Sequence, residues 1–317
     1  MIYSSILDCI GRTPLVYLNR LFSERDKEVI ARLEFLNPGG SVKDRPAKYI
    51  VEKGLKTGTI GLGSHLIEST SGNLGIALAM VCRVYGLTFT SVVDPKISKT
   101  NLKILKALGA NIDMVEERDD QGGYLKTRIR RVHELMETIP NSVWIRQYAN
   151  ELNWKAHYIG ADELIHKLDG PIDFLFAAVS TTGTIHGVGR RMKNQFPHLK
   201  IVAVDAVGSV IFGHPPKNRE LPGIGATRVP ELCCPEEIDE VIHISDYESA
   251  KGCRELVEKE GIFAGGSSGA VISAIQKKLP TLPNGSRVLT LLPDRGDRYL
   301  DLVYSDEWMM KFLEEVK

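Results

Sequence analysis

Short apolar runs alternate with longer amphipathic runs along most of this chain, and this alternation limits the folds open to it. Several runs have the length and apolar character of buried strands: 89–93, 174–179, 201–204, 241–244 and 288–292. Others have the periodicity of helices: 101–108, 124–137, 154–168, 248–259 and 270–279. Such alternation predicts an α/β fold in which helices cover both faces of parallel sheets.

Composition excludes several classes of partner. The chain has 317 residues, enough for about two domains. Lys plus Arg and Asp plus Glu number 40 each, so charge does not favour a nucleic acid or an anionic membrane as partner. No apolar run approaches the roughly 20 residues that span a bilayer, and residues 1–8 do not resemble a signal peptide. The five cysteines contain no C-x-x-C pair, which favours reduced thiols in the cytoplasm, and no metal-binding spacing occurs.

Lys43 is the first candidate for chemistry. It follows the turn Asn-Pro-Gly-Gly at 37–40 and precedes a helix-like run that reaches about residue 53. A lysine on such a turn can direct its amine into a cleft. Because desolvation lowers the pKa of a lysine, the amine can then attack a carbonyl carbon. A solvated lysine in a turn is the alternative.

Residues 69–75 form a second candidate, with the sequence Ser-Thr-Ser-Gly-Asn-Leu-Gly. They lie between an apolar pair at 66–67 and an apolar run at 76–81, an order typical of strand, loop and helix. Hydroxyl groups and backbone amides at the start of a helix can bind an anion, here a carboxylate. An ordinary helix-capping loop is the alternative.

Residues 180–184 form a third candidate, Ser-Thr-Thr-Gly-Thr, between a strand-like run and a helix-like run at 185–195. Hydroxyls and amides at a helix start suit a phosphate. The loop lacks the lysine of a nucleotide-triphosphate loop, and the glycine spacing of a dinucleotide site fails.

A reactive lysine, a carboxylate loop and a phosphate loop together describe a site for pyridoxal phosphate and an amino acid. At this point the chain resembles the cysteine synthase and cystathionine β-synthase family, the fold-type II pyridoxal-phosphate enzymes. The resemblance rests on residues 37–45, 70–73, 265–269 and 292–299, which follow the family's order. It implies a smaller α/β domain of residues 40–148 inserted into a larger one of residues 1–39 and 149–317, with pyridoxal 5′-phosphate in the cleft between them.

The resemblance also implies cofactor contacts. Lys43 would hold the cofactor and move the substrate α-proton, Asn73 would meet the ring hydroxyl, and Ser267 would meet the ring nitrogen. A serine leaves that nitrogen neutral, which favours replacement at the β-carbon over transamination. The phosphate would be bound by the loop that consists of Ser180, Thr181, Thr182, Gly183 and Thr184. The family loop is richer in glycine, so Ser180 and Thr182 add side chains that either bind phosphate or reshape a second-substrate pocket.

Substrate contacts follow from the same resemblance. Thr70, Ser71 and Gln147 match the positions that hold the substrate α-carboxylate, and Gly72 and Tyr148 adjoin them. Arg128 is the first candidate cation for a second substrate, with a solvated helix arginine as an equal alternative. Arg219 and Arg228 flank the loop 221–225, where a surface or salt-bridge role is favoured over substrate contact.

Within the family, segments 147–154, 218–228 and 292–308 resemble synthases that join O-phospho-L-serine to L-glutamate in siderophore biosynthesis. The implied reaction is β-replacement with release of phosphate. Residues 147–153 depart from the sulfhydrylase pattern, which counts against a simple cysteine synthase. A sulfhydrylase, a cystathionine β-synthase and a lyase that releases pyruvate and ammonia stay open. The family suggests a homodimer that acts on small amino acids.

Overall fold

The computed structural model describes residues 2–23, 26–120 and 122–314 and contains two sheets flanked by helices. The strands are β1 (Leu15–Tyr17), β2 (Glu28–Leu33), β3 (His65–Ser69), β4 (Thr88–Val93), β5 (Asn111–Met114), β6 (Ser142–Trp144), β7 (Phe174–Ala178), β8 (Lys200–Ala206), β9 (Glu240–Ile244) and β10 (Arg287–Leu292). The helices are α1 (Asp44–Thr57), α2 (Asn73–Tyr85), α3 (Lys99–Ala107), α4 (Leu125–Thr138), α5 (Glu151–Ile165), α6 (Gly183–Gln195), α7 (Asp246–Glu255), α8 (Gly266–Lys278) and α9 (Asp306–Glu314). Across these ranges, no helix is both long and apolar enough to cross a membrane.

Both sheets are built mainly from parallel strands. The larger has the order β1-β2-β10-β7-β8-β9, and only the edge strand β1 is antiparallel to its neighbour. The smaller has the order β5-β4-β3-β6 and is parallel throughout. The α/β fold with parallel sheets is therefore confirmed. Every strand of the smaller sheet falls within residues 40–148, although the domain bounds themselves stay a prediction.

The predicted elements are present, but their ends differ where capping decides them. The run expected at 248–259 begins earlier, because Ser245 accepts a hydrogen bond from Glu248 N and the Glu248 carboxylate accepts one from Ser245 N. Its α-helical geometry ends at Glu255 and continues as a π-helical turn over Leu256–Glu260. The periodicity of apolar residues predicts neither the hydrogen bonds that begin this helix nor the π-helical turn that ends it.

Close contact between α7 and α8 sets the position of the first turn of α8. A Cβ atom on Gly269 would lie 1.9 Å from the carbonyl oxygen of Ser249, and one on Gly252 would lie 2.2 Å from the carbonyl oxygen of Gly269. Only glycine permits backbones to approach this closely. The two glycines therefore fix how closely α8, which carries Ser267, packs against α7.

A buried ionic cluster lies between β2, the turn before Lys43 and α5. The fully buried carboxylate of Glu34 lies 2.9 Å from Arg32 Nε and accepts a hydrogen bond of 2.9 Å from Arg45 Nε. Asn37 donates to Glu34 Oε2 at 2.8 Å, and both arginines also reach Glu163 Oε2, at 2.8 and 3.2 Å. Burial would raise the pKa of Glu34, but the two guanidinium groups outweigh it and lower that pKa to about 2. The cluster thus fastens the Lys43 turn to the larger sheet.

We expect Glu34→Gln to lower the free energy of unfolding by about 3–5 kcal/mol, because it leaves two buried guanidinium groups without their shared carboxylate. Chemical denaturation followed by circular dichroism measures this loss. Glu134→Gln, which breaks exposed pairs on α4, is the control and should cost less than about 1 kcal/mol. Equal effects of the two substitutions would contradict a structural role for the cluster.

The lowered pKa of Glu34 also predicts how the stability of the protein depends on pH. Because the pKa of Glu34 falls from 4.5 to about 2 on folding, its stabilising contribution is present above pH 4.5 and is lost as pH falls through 2. The stability advantage of the natural protein over Glu34→Gln should therefore shrink between pH 4.5 and pH 2. An advantage that grows over this range would show that Glu34 is not held ionised.

Candidate active site

A cavity of about 250 Å³ lies where the carboxyl ends of strands from both sheets meet. Loops that follow β3, β6, β7 and β10 form its wall, the usual location of ligands in parallel sheets. Most of the site residues expected from the sequence line it: Lys43, Thr70, Ser71, Gly72, Asn73, Arg128, Gln147, Tyr148, Ser180, Thr181 and Ser267.

Lys43 caps the start of α1 and is fastened to the end of β10. Val42 N donates to the carbonyl oxygen of Pro293 at 2.8 Å, and Ser41 pairs with Asp294 in an isolated bridge. Lys43 keeps some surface open to the cavity, but protein surrounds its amine. This burial lowers the pKa of Lys43 to about 8, against the opposing charge of Asp294. A fraction of the amine is therefore neutral and nucleophilic near pH 7.

Asn73 is held by two residues of the segment after β10. Its Nδ2 donates to Asp294 Oδ2 at 2.7 Å, and Arg298 donates to its Oδ1. Asp294 also accepts a bond of 2.6 Å from the Tyr299 hydroxyl, and burial raises the pKa of this aspartate. The motif 292–299 contained these residues, but their sequence gave no sign that they orient Asn73. Contact between Asn73 and a ring hydroxyl stays a prediction.

The expected carboxylate loop and Gln147 lie side by side because β3 and β6 are adjacent. Gly72 is the N-cap of α2, so backbone amides at the start of this helix face the loop. Gln147 donates from Nε2 to the carbonyl oxygen of Ser69 at 3.4 Å and from its backbone to Glu68 Oε2 at 3.1 Å. Burial raises the pKa of Glu68 to about 7, against hydrogen bonds that include the one from the Gln147 backbone. Sequence reasoning did not identify Glu68 as part of this wall.

Only part of the expected phosphate loop lines the cavity. Ser180 and Thr181 line the cavity, whereas Thr182, Gly183 and Thr184 lie outside the lining at the start of α6. Thr182 has a φ of 62° and a buried hydroxyl with no hydrogen-bond partner among the described residues. Thr184 is bonded to His157 at 3.2 Å. An unpartnered hydroxyl at a helix N-terminus fits a phosphate group.

Ser267 lies in the first turn of α8 and is buried within the cavity wall. Gly265 is the N-cap of this helix, so the serine does not serve as its cap. The hydroxyl of the adjacent Ser268 is buried and has no partner within the described part of the chain. Ser267 and Lys43 line the same cavity, and a polar lining of this kind fits an aromatic aldehyde with a phosphate.

The arginines in and near the cavity differ in their hydrogen-bond and ion-pair partners. The Nε of Arg128 on α4 is buried and lies 3.4 Å from Asp94 Oδ2, without a hydrogen bond to any described residue. Arg146 and Arg228 also line the cavity. Sequence reasoning missed the first and favoured a surface or salt-bridge role for the second, which does pair with Glu231 at 2.9 Å. Arg219 donates to the carbonyl oxygen of Ile224 at 2.7 Å and is not part of the lining.

Comparison with known proteins identifies the family of this chain. Residues 6–294 match the family described as pyridoxal-phosphate dependent enzyme, and the chain belongs to this family. It is 60% identical to N-(2-amino-2-carboxyethyl)-L-glutamate synthase of Ralstonia nicotianae over 312 residues, which cover 98% of this chain and 92% of that protein. The resemblance to fold-type II enzymes is confirmed. The chain is an enzyme, and its cofactor is pyridoxal phosphate.

Solved structures support the same assignment. The O-acetylserine dependent cystathionine beta-synthase from Helicobacter pylori is 36% identical with a TM-score of 0.88, covering 95% of this chain and 98% of that one. O-Acetyl Serine Sulfhydrylase isoform 3 from Entamoeba histolytica is 33% identical with a TM-score of 0.90, covering 99% and 96%.

The lowered pKa of Lys43 predicts how the cofactor-free protein captures pyridoxal phosphate. Because only the neutral amine attacks the aldehyde, the capture rate should rise with pH and level off above about 8. Asp294→Asn removes the opposing charge and should move this inflection to lower pH. Stopped-flow absorbance after mixing with pyridoxal phosphate measures both. An inflection near 10.5, the ordinary value, would contradict a desolvated amine.

Proposed function

We propose that this enzyme catalyses β-replacement between O-phospho-L-serine and L-glutamate, giving N-(2-amino-2-carboxyethyl)-L-glutamate and phosphate. The observation that carries the proposal is the charge of the cavity wall, in which Arg128, Arg146 and Arg228 all take part. Each of the two substrates brings two anionic groups, and guanidinium groups bind both carboxylate and phosphate well. Sulfide requires no such wall. The 60% identical relative supports this choice of product.

The proposed roles follow the geometry. Pyridoxal phosphate, when bound, withdraws electrons from the substrate α-carbon. Lys43 holds it and then removes and returns the α-proton, since its amine is buried and partly neutral. Thr70, Ser71 and Gln147 bind the α-carboxylate. Ser267 meets the ring nitrogen.

The remaining cofactor and substrate roles are assigned in the same way. Asn73, held by Asp294 and Arg298, meets the ring hydroxyl. The loop 180–184 binds the cofactor phosphate through its hydroxyls and the start of α6. Gly72 and Tyr148 complete the substrate wall.

The bond changes of the reaction balance. The Cβ–O bond of O-phosphoserine breaks, and its electron pair leaves with the phosphate. The nitrogen of the acceptor then forms a bond to the same carbon and loses a proton. Arg128 would offset the charge of the leaving phosphate, and the arginines of the cavity wall would offset the charge of the arriving dicarboxylate.

The proposal extends to the setting of the enzyme. The domains are residues 40–148 and the pair of segments 1–39 and 149–317, and the protein acts as a cytoplasmic homodimer. Its product would serve as precursor of L-2,3-diaminopropionate in siderophore biosynthesis.

A screen of acceptors tests the reaction. The enzyme, saturated with O-phospho-L-serine, is offered L-glutamate, homocysteine or sulfide, and the products are identified by mass spectrometry. We expect L-glutamate to be joined with the highest kcat/KM. Preference for sulfide or homocysteine would favour a sulfhydrylase or a cystathionine β-synthase. Pyruvate formed without an acceptor, at the rate seen with one, would favour a lyase.

Arg128→Ala should lower kcat/KM for L-glutamate roughly tenfold to a hundredfold, because a charge-assisted hydrogen bond contributes about 1.5–3 kcal/mol. A parallel loss in phosphate release would place the leaving group on the same guanidinium. Arg130→Ala, on the exposed side of the same helix, is the matched control and should change neither rate. If Arg128→Ala changes both L-glutamate use and phosphate release by less than about twofold, Arg128 has only a structural role.

A further inference from the structure

Arg228 approaches the cavity from the larger sheet, on the connection between β8 and β9, whereas Arg128 approaches from α4 beside the smaller sheet. The guanidinium carbon of Arg228 lies 4.5 Å from the centre of the Tyr148 ring. Its Nη1 donates to both carboxylate oxygens of Glu231 at 2.9 Å. Two different groups therefore fix the plane of this guanidinium within the wall.

The remaining edge of this guanidinium is available to a ligand. Nε and Nη2 of Arg228 share one edge and make no hydrogen bond to any residue that the structure describes. Two parallel N–H groups on one edge match the two oxygens of a carboxylate. An arginine already oriented by a ring and a carboxylate loses less conformational freedom when it binds such a ligand.

Glu231 and Tyr148 form one unit with this arginine. Partial burial would raise the pKa of Glu231, but the hydrogen bond and charge of Arg228, together with a backbone hydrogen bond and the charge of Arg146, outweigh burial and lower the pKa. Leu232 N donates to the carbonyl oxygen of Tyr148 at 3.1 Å, which ties the Arg228 segment to the residue beside Gln147. The Arg228–Glu231 ion pair is half exposed and contributes little to stability, so its role is to orient the Arg228 guanidinium.

Arg146 is less suited to this task. It is exposed, its backbone has a φ of 57°, and its guanidinium carbon lies 5.5 Å from the Trp144 ring. No carboxylate among the described residues lies within ion-pair distance of it, although its charge acts on Glu231, so fewer contacts orient its N–H groups than orient those of Arg228.

We propose that Arg228 determines which acceptor is used by binding the side-chain carboxylate of L-glutamate through its free edge, with Tyr148 and Glu231 as positioning residues. This inference rests on the proposed function and deepens it. It predicts that Arg228 acts on the second substrate and leaves the release of phosphate from the first unaffected.

The test compares Arg228→Gln and Arg228→Lys with the natural protein in two assays. One measures phosphate release from O-phospho-L-serine alone. The other measures kcat/KM for L-glutamate, together with the inhibition constant of L-glutamine, which lacks the distal carboxylate. Arg130→Gln is the control for loss of an arginine, and thermal melts confirm folding.

We expect Arg228→Gln to lower kcat/KM for L-glutamate about tenfold to a hundredfold, while the inhibition constant of L-glutamine and phosphate release change less than about twofold. Arg228→Lys should fall between, because it keeps the charge but loses the two-pronged geometry. An equal weakening of L-glutamate use and of L-glutamine inhibition, a loss in phosphate release, or no loss at all would overturn the inference alone. A natural protein that forms no product from L-glutamate would overturn the proposed function and the inference with it.

Discussion

The ionic cluster around Glu34 is the constraint on which the site depends. A carboxylate with no exposure to water is stable there only because Arg32 and Arg45 lie on either side of it and Asn37 donates to it. Arg45 is the second residue of α1, and Asn37 begins the turn before Lys43. One buried charge therefore joins the end of β2 to both sides of the lysine and leaves that lysine little freedom to move.

The other residues of the site place charged groups around Lys43. Beside Lys43, the buried Asp294 limits how far the amine pKa falls, and it also orients Asn73. Three arginines line the cavity: Arg128 and Arg228 lie beside carboxylates, and Arg146 forms no ion pair with a described residue. A partly neutral amine in a cavity lined by several guanidinium groups suits amino acids that carry additional anionic groups.

Although the roles of the site residues stay predictions, the sequence permitted prediction of the parallel sheets and of the placement of Lys43 and parts of the loops at 69–75 and 180–184 around one cavity. These features depend on local order, because a strand, a polar loop and a helix follow one another directly in the chain. The Glu34 cluster could not be foreseen, because Glu163 lies 131 residues from Arg32. Arg228 was expected in a surface or salt-bridge role, and its place in the cavity wall could not be foreseen, since its contact with Tyr148 joins distant segments. That Thr182 lies outside the cavity lining depends on how α6 packs.

Peptide mapping after borohydride reduction tests the central claim most directly, because reduction makes the bond between pyridoxal phosphate and a lysine permanent. If the buried cluster presents one desolvated amine to the cavity, mass spectrometry will find the cofactor on Lys43 in stoichiometric amount. Cofactor on another lysine, or spread over several exposed lysines, would contradict the account.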